Sequence, residues 1–124
     1  MKVREALQQV KEEKPHSFAN EFVLRWLNEL EQRVQEYMGI SREEWETYTT
    51  SDGDLEKDLI VEPPYDSLYI SWLKAKIDYV NEEFEAYANH QAQFKAEWEE
   101  VKIKLYQNGM VSSKWDNARF RNVY

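Results

Sequence analysis

No cysteine occurs among the 124 residues, which excludes a disulfide framework, a thiolate nucleophile and any cysteine-ligated metal. Glycine is scarce: the three copies are scattered, and no phosphate-cradling loop can be assembled from them. Positive charge is outnumbered, with 16 Lys and Arg against 24 Asp and Glu, a net charge of −8. That balance argues against nucleic-acid affinity carried by a basic surface and against adsorption to an anionic membrane. No stretch approaches the roughly 18 apolar residues of a membrane span. The opening "MKVREALQQVKEEK" lacks the apolar run of a secretory signal. The expectation is a protein that is intracellular, or assembled inside a cell, with no membrane partner.

Hydrophobic residues make up 42% and aromatics 15% of the chain, enough for a core within one domain of this length. The pattern is helical. Val3, Ala6, Leu7 and Val10 form one apolar stripe at i, i+3, i+4, i+7, and Pro15 ends it. A first major helix is expected over Asn20–Met38, capped by Ser17 or Asn20, with Val23, Leu27, Leu30, Val34 and Tyr37 on its buried face. Gly39 stops it. Ser41 and Glu44 have capping-box spacing around Trp45, "SDGD" reads as a turn, and "LIVEPP" as extended chain.

A second major helix is expected over Asp66–Gln107, with Asp66 as N-cap and Asn108-Gly109 as its end. Ile70, Leu73, Ile77, Val80, Phe84, Tyr87, Gln91, Phe94, Trp98, Val101 and Leu105 alternate by three and four, a heptad seam with one polar interruption. Unbroken, this helix would be about 60 Å long, against a radius of gyration of about 14 Å for a compact domain of this size. Either the helix breaks, near Asn89, or it projects and neighbouring subunits cover it. Tyr65, Leu68, Tyr69 and Trp72 form a second apolar stripe, suited to packing against the first major helix. The fold class expected is all-α, a small domain of two major helices plus short ones over residues 1–109. A C-terminal arm follows over 110–124. That arm carries Lys114, Arg119 and Arg121 against Asp116, a net of +2 on a body of −10.

Catalytic patterns are hard to find. His16 and His90 are far apart, form no two-His metal pair, and read as loop or surface residues. In "TSDGDLEKDL", placing Gly53 as the glycine of a calcium loop puts Tyr48 and Leu59 at its first and last ligand positions. Neither supplies a carboxylate, so the segment reads as a solvated acidic turn. No serine stands in a nucleophile elbow. The carboxylates fall beside lysines, as in "KAEWEEVKIK", and read as solvated helix faces rather than acid/base pairs. No metal or cofactor is expected. Trp26, Trp72 and Trp98 read as core; Trp45 lies outside the strong helices. Trp115, Arg119, Phe120, Arg121 and Tyr124 are the candidate interface residues, because Trp, Tyr and Arg are enriched in binding anchors; packing of the arm on its own body is the other reading.

Three stretches together resemble small proteins encoded among the head-assembly genes of tailed phages and Firmicute prophages. "EALQQVKEEKPHSFANEFVLRWLNELEQRV" has a short helix, a Lys-Pro, then a helix with Trp-Leu and an acidic run. "LIVEPPYDSLYISWLKAKIDYVNEEFEAYANHQAQF" has the Pro-Tyr-Asp, Leu-Tyr and Tyr-x-Asn core. The arginine- and aromatic-bearing C-terminus is the third. Ile40 to Asp58 is not covered, "YANH" stands where two asparagines are expected, and the tail has no obvious proline. The family is that of head–tail connectors, also called adaptor or neck proteins. The resemblance implies a mostly helical structural protein that forms a ring, typically of twelve copies, between portal and tail. It lines a channel through which DNA passes without specific binding. The implied partners are other copies, the portal and a tail-side neck protein; the implied place is the virion neck, after assembly in the host cytoplasm. A helical assembly chaperone or regulatory protein is the alternative, with a small enzyme or an arm-based nucleic-acid binder behind it.

Overall fold

A computed structural model of the chain describes residues 1–111, and these are all helix and connecting loop. The elements are α1 (Val3–Glu13), α2 (Asn20–Tyr37), a 3-10 turn at Arg42–Glu44, α3 (Asp52–Leu55), α4 (Ser67–Val80) and α5 (Phe84–Gln107). No strand forms among the described residues; Lys2 and Asp58 make an isolated antiparallel bridge. The protein is therefore a small all-α domain, as its periodicity predicts.

The stripe of α1 is buried at all four predicted positions, Val3, Ala6, Leu7 and Val10. Each Val or Leu buried this way contributes on the order of 1.5–3 kcal/mol. The buried face of α2 is Val23, Leu24, Leu27, Leu30 and Val34, while Tyr37 is partly buried at its edge. Gly39 ends the helix at a φ of 79°. Its N–H reaches the Glu36 carbonyl and that of Ile40 the Gln35 carbonyl, the paired closure of a Schellman motif that needs a left-handed residue. Ala19 rather than Ser17 or Asn20 stands at the N-cap position.

The sequence reading needs correction at two loops. Ser41 precedes the 3-10 turn but its hydroxyl donates to the Glu43 carboxylate, with no capping box to Glu44. The "SDGD" stretch is one short helix, α3, in which Ser51 accepts from the Asp54 N–H. Trp45 anchors the loop by donating its indole N–H to the Ile40 carbonyl at 2.8 Å.

The larger correction concerns the second major helix. It breaks, but at Asn81–Glu83 rather than near Asn89, and gives two helices, α4 and α5. Glu82 holds a left-handed φ of 59°. Its N–H bonds to the Tyr79 carbonyl and the Glu83 N–H to the Asp78 carbonyl, the same closure that Gly39 makes. Here a glutamate occupies the position that ordinarily takes glycine, at a cost of about 1–2 kcal/mol. The chain then folds back, so α4 and α5 are antiparallel. Trp72 packs on Phe94 in a tilted arrangement with ring centroids 5.0 Å apart, and Ser67 and Ser71 both donate to the Glu97 carboxylate.

The seam folds onto itself as a result. Ile70, Leu73 and Ile77 of α4 and Phe94, Val101 and Leu105 of α5 are buried, whereas Val80 and Phe84 are 50% and 59% exposed at the bend. α4 becomes the central helix, packed on α1, α2 and α5. Of its second stripe, Leu68, Tyr69 and Trp72 are buried and the Trp72 indole donates to the Trp26 carbonyl of α2 at 2.7 Å, whereas Tyr65 precedes α4, is only partly buried and lies against Lys104 of α5. Past Gly109 the chain turns back, and Val111 is buried in the same core, two residues beyond the expected domain edge.

Candidate interaction surface

The bend between α4 and α5 gathers exposed apolar side chains from adjacent positions in the chain. Tyr79, Val80 and Phe84 are exposed by half or more. Tyr79 gathers them: its ring centroid lies 6.2 Å from that of Phe84 and 5.4 Å from that of Tyr87. Exposed Glu82, Glu83 and Glu85 rim the cluster. A shallow groove of about 380 Å³ runs from it along α4, lined by Arg33, Trp72, Lys76, Tyr79, Tyr87 and Gln91. Arg33 and Lys76 sit over the Trp72 ring at 5.0 and 4.7 Å from its centroid, where cation–π attraction fixes both side chains. Lys76 also pairs with Glu29 at 3.1 Å.

A buried charge holds this bend in place. Asp78, with no exposed surface, ion-pairs through one oxygen with Lys14 at 2.7 Å and is hydrogen-bonded through the other to His90 Nδ1 at 2.5 Å. Lys14 also reaches Glu83 at 2.7 Å. Asp78, and Glu83 after it, hold the Lys14 ammonium above its usual pKa. One carboxylate thus ties the end of α1, the last turn of α4 and the second turn of α5 together. His90 is not a plain surface histidine, and the two residues come together only because the chain turns at Glu82.

At the other end of the hairpin lies a second buried carboxylate. Glu31 of α2 accepts from the Tyr69 hydroxyl at 2.6 Å through Oε1, and through Oε2 from the Tyr48 hydroxyl at 2.7 Å and the Ile60 N–H at 3.0 Å. The Tyr69 oxygen in turn accepts from the Val61 N–H at 3.0 Å. Burial pushes the Glu31 carboxyl upward while the three donors pull it back. Burial and the Glu31 charge raise both phenols, Tyr48 and Tyr69, so they stay protonated donors. Neighbouring Gln35 holds the loop from both sides, donating to the Glu46 carbonyl and accepting from its N–H. These groups fasten residues 46–61 to the helices and leave no free base or nucleophile. Glu31 and Asp78 correct the reading of the acidic residues as solvated faces.

The remaining polar candidates are local. Asp54 accepts from the Thr49 N–H and hydroxyl and pairs with Lys57, which lowers its pKa to about 2; the acidic turn is a cap. Glu13 and His16 have Glu-x-x-His spacing, but Pro15 separates them and α1 ends at Glu13. His16 Nδ1 accepts from the Phe18 N–H at 3.1 Å, and burial followed by the Lys11 charge lowers its pKa. Among the described residues no group of three His, Asp or Glu side chains is placed to hold a metal ion, and no helix is long and apolar enough to cross a membrane.

Of the interface residues expected from sequence, Trp115, Arg119, Phe120, Arg121 and Tyr124 lie outside the described residues. Sequence reasoning missed Tyr79, Val80 and Phe84 as a surface because the seam assigns Val80 and Phe84 to the interior. The signal that could have found it is "DYVNEEFE", where apolar residues flank three polar ones in an otherwise good helix. No family model matches the chain, and no curated protein and no solved structure matches it either.

Proposed function

We propose that this protein is a non-enzymatic assembly component of a tailed phage or prophage, similar to the head–tail connectors. It would form a ring with other copies between the portal and a tail-side neck protein. Such a ring sits in the virion neck after assembly in the host cytoplasm, and DNA slides through it without specific binding or contact with membrane.

The observation that carries this reading is the exposed aromatic bend, Tyr79, Val80 and Phe84. Apolar side chains gathered at one end of a helical hairpin are a surface for another protein chain. Trp115, Arg119 and Phe120 follow α5 in the sequence. Sequence similarity in "PPYDSLY" and the acidic balance support the same reading, since a negative lining keeps DNA from sticking.

Purified protein imaged by negative-stain electron microscopy, with and without portal protein, tests it. A ring stacked on the portal is expected. Failure to join the portal, together with absence from purified virions, overturns the connector reading. Transient portal or capsid binding without incorporation into virions identifies an assembly chaperone instead.

A further inference from the structure

We infer that the α4–α5 bend is the docking site for the Lys114–Arg121 segment of a second copy of this chain, a head-to-tail contact. This deepens the ring reading by naming its lateral contact.

The first argument is chemical. The bend offers an aromatic cluster, Tyr79 with Phe84 and Tyr87, inside an acidic rim. Of that rim, Glu83 is engaged by Lys14, whereas Glu82 and Glu85 make no ion pair with any described residue. The segment "KWDNARFR" offers the complement: Trp115 and Phe120 among Lys114, Arg119 and Arg121. Arginine is suited to both halves of such a surface, pairing with carboxylates and stacking on aromatic faces. The groove beside the bend, holding Arg33 and Lys76, is a poorer partner for a basic segment, so the rim and not the groove receives it.

The second argument is reach. Residues 84–107 of α5 span about 36 Å at about 1.5 Å per residue. Val111 is packed in the core beside the last turn of that helix, at the end of the hairpin away from the bend. A fully extended chain covers at most about 3.3–3.6 Å per residue. The four residues from Val111 to Trp115 cover at most about 14 Å, less than half the length of α5. Phe120 would arrive at the bend of its own chain only on a straight, fully extended path of about 30 Å. A second copy has no such limit. A contact between two different surfaces repeats from copy to copy and closes into a ring when the rotation between copies allows.

The test uses two full-length variants and needs no portal, so its outcome is separate from that of the connector reading. One, Phe84→Ser with Glu82→Lys and Glu85→Lys, spoils the bend and keeps the segment. The other, Arg119→Glu with Arg121→Glu, spoils the segment and keeps the bend. Sedimentation velocity should show concentration-dependent association of the parent chain and loss of it in each variant alone. An equimolar mixture of the two should restore association, but only as a dimer that does not grow, because one intact bend meets one intact segment. Circular dichroism should be unchanged for both. The inference is overturned if the parent stays monomeric, or if either variant associates as well as the parent. It is equally overturned if the bend variant alone is impaired and the mixture restores nothing, which would make the contact bend-to-bend.

Discussion

Two carboxylates lie fully buried among the described residues, and they are met by partners of opposite kinds. Glu31, near the base of the α4–α5 hairpin, is met by neutral donors: two phenols and one backbone N–H. Asp78, near the bend, is met by Lys14 and His90. Each donor to Glu31 belongs to a segment distant in sequence, so the charge acts as a peg onto which the chain from Tyr48 to Tyr69 is fastened. The partners of Asp78 come from the end of α1 and the second turn of α5, so that carboxylate ties those elements to the last turn of α4. A peg made of neutral hydrogen bonds is insensitive to salt; one that rests on the partly exposed Lys14 ammonium is screened. The base is therefore the firm half of the molecule, and the bend, which carries the proposed contact, is the half that ionic conditions can adjust.

The largest way to break the comparison is Glu31→Leu. It leaves Tyr48, Tyr69 and the Ile60 N–H as buried donors without an acceptor, each costing about 1–3 kcal/mol. A loss of roughly 3 kcal/mol or more in chemical denaturation is expected, while Glu31→Gln, which keeps an acceptor oxygen, loses much less. Equal losses in the two variants would mean that the charge, and not the hydrogen bonding, holds the base.

Asp78→Asn comes next, with an expected loss of about 2 kcal/mol. Removing one member of a buried ion pair typically costs more, but Lys14 keeps Glu83. The loss should shrink in high salt, unlike that at Glu31, and guanidinium and urea midpoints compared between the two variants would check this.

A smaller effect, of opposite sign, is expected from Glu82→Gly. Glu82 is left-handed, and glycine removes that strain while making the unfolded chain freer. A net gain of about 0.5 kcal/mol is expected in thermal unfolding, and a loss would show that the glutamate side chain holds the bend.

The smallest effect is at His16, outside both charge sites. Its folded pKa is lowered, so the unfolded state takes up the proton more readily. Stability from this group is present above about pH 6.5 and declines as pH falls through that value. The ring is only partly buried, and the effect should be roughly 0.5 kcal/mol or less. Thermal melts at pH 7.5 and pH 5.5, compared between the parent and His16→Asn, isolate it; an unchanged pH slope in the variant would show that His16 contributes none.

The sequence by itself determined the all-helical class, because its apolar spacing is helical almost everywhere, with no run of alternating residues to favour strands. It also determined where two helices end: Gly39 and Gly109 take left-handed φ values of 79° and 70°, and only glycine takes these freely. The stripes of α1 and α2 were legible for the same reason, since burial follows the period of the helix itself. The third helix end was not legible. Glu82 adopts the same backbone shape with a residue that carries no such signal, and the heptad phase runs straight across it. Only tertiary packing decided the turn. Folding back buries Ile70, Leu73 and Ile77 with Phe94, Val101 and Leu105, and that burial outweighs the strain at one residue. The same fold-back decided the rest of the candidate surface. It exposes Val80 and Phe84, brings Asp78 to His90, and sets the bend at the end of the hairpin opposite Val111. Glu31 was hidden for a parallel reason: its partners Tyr48, Ile60 and Tyr69 are separated from it in sequence, so no local pattern marks it.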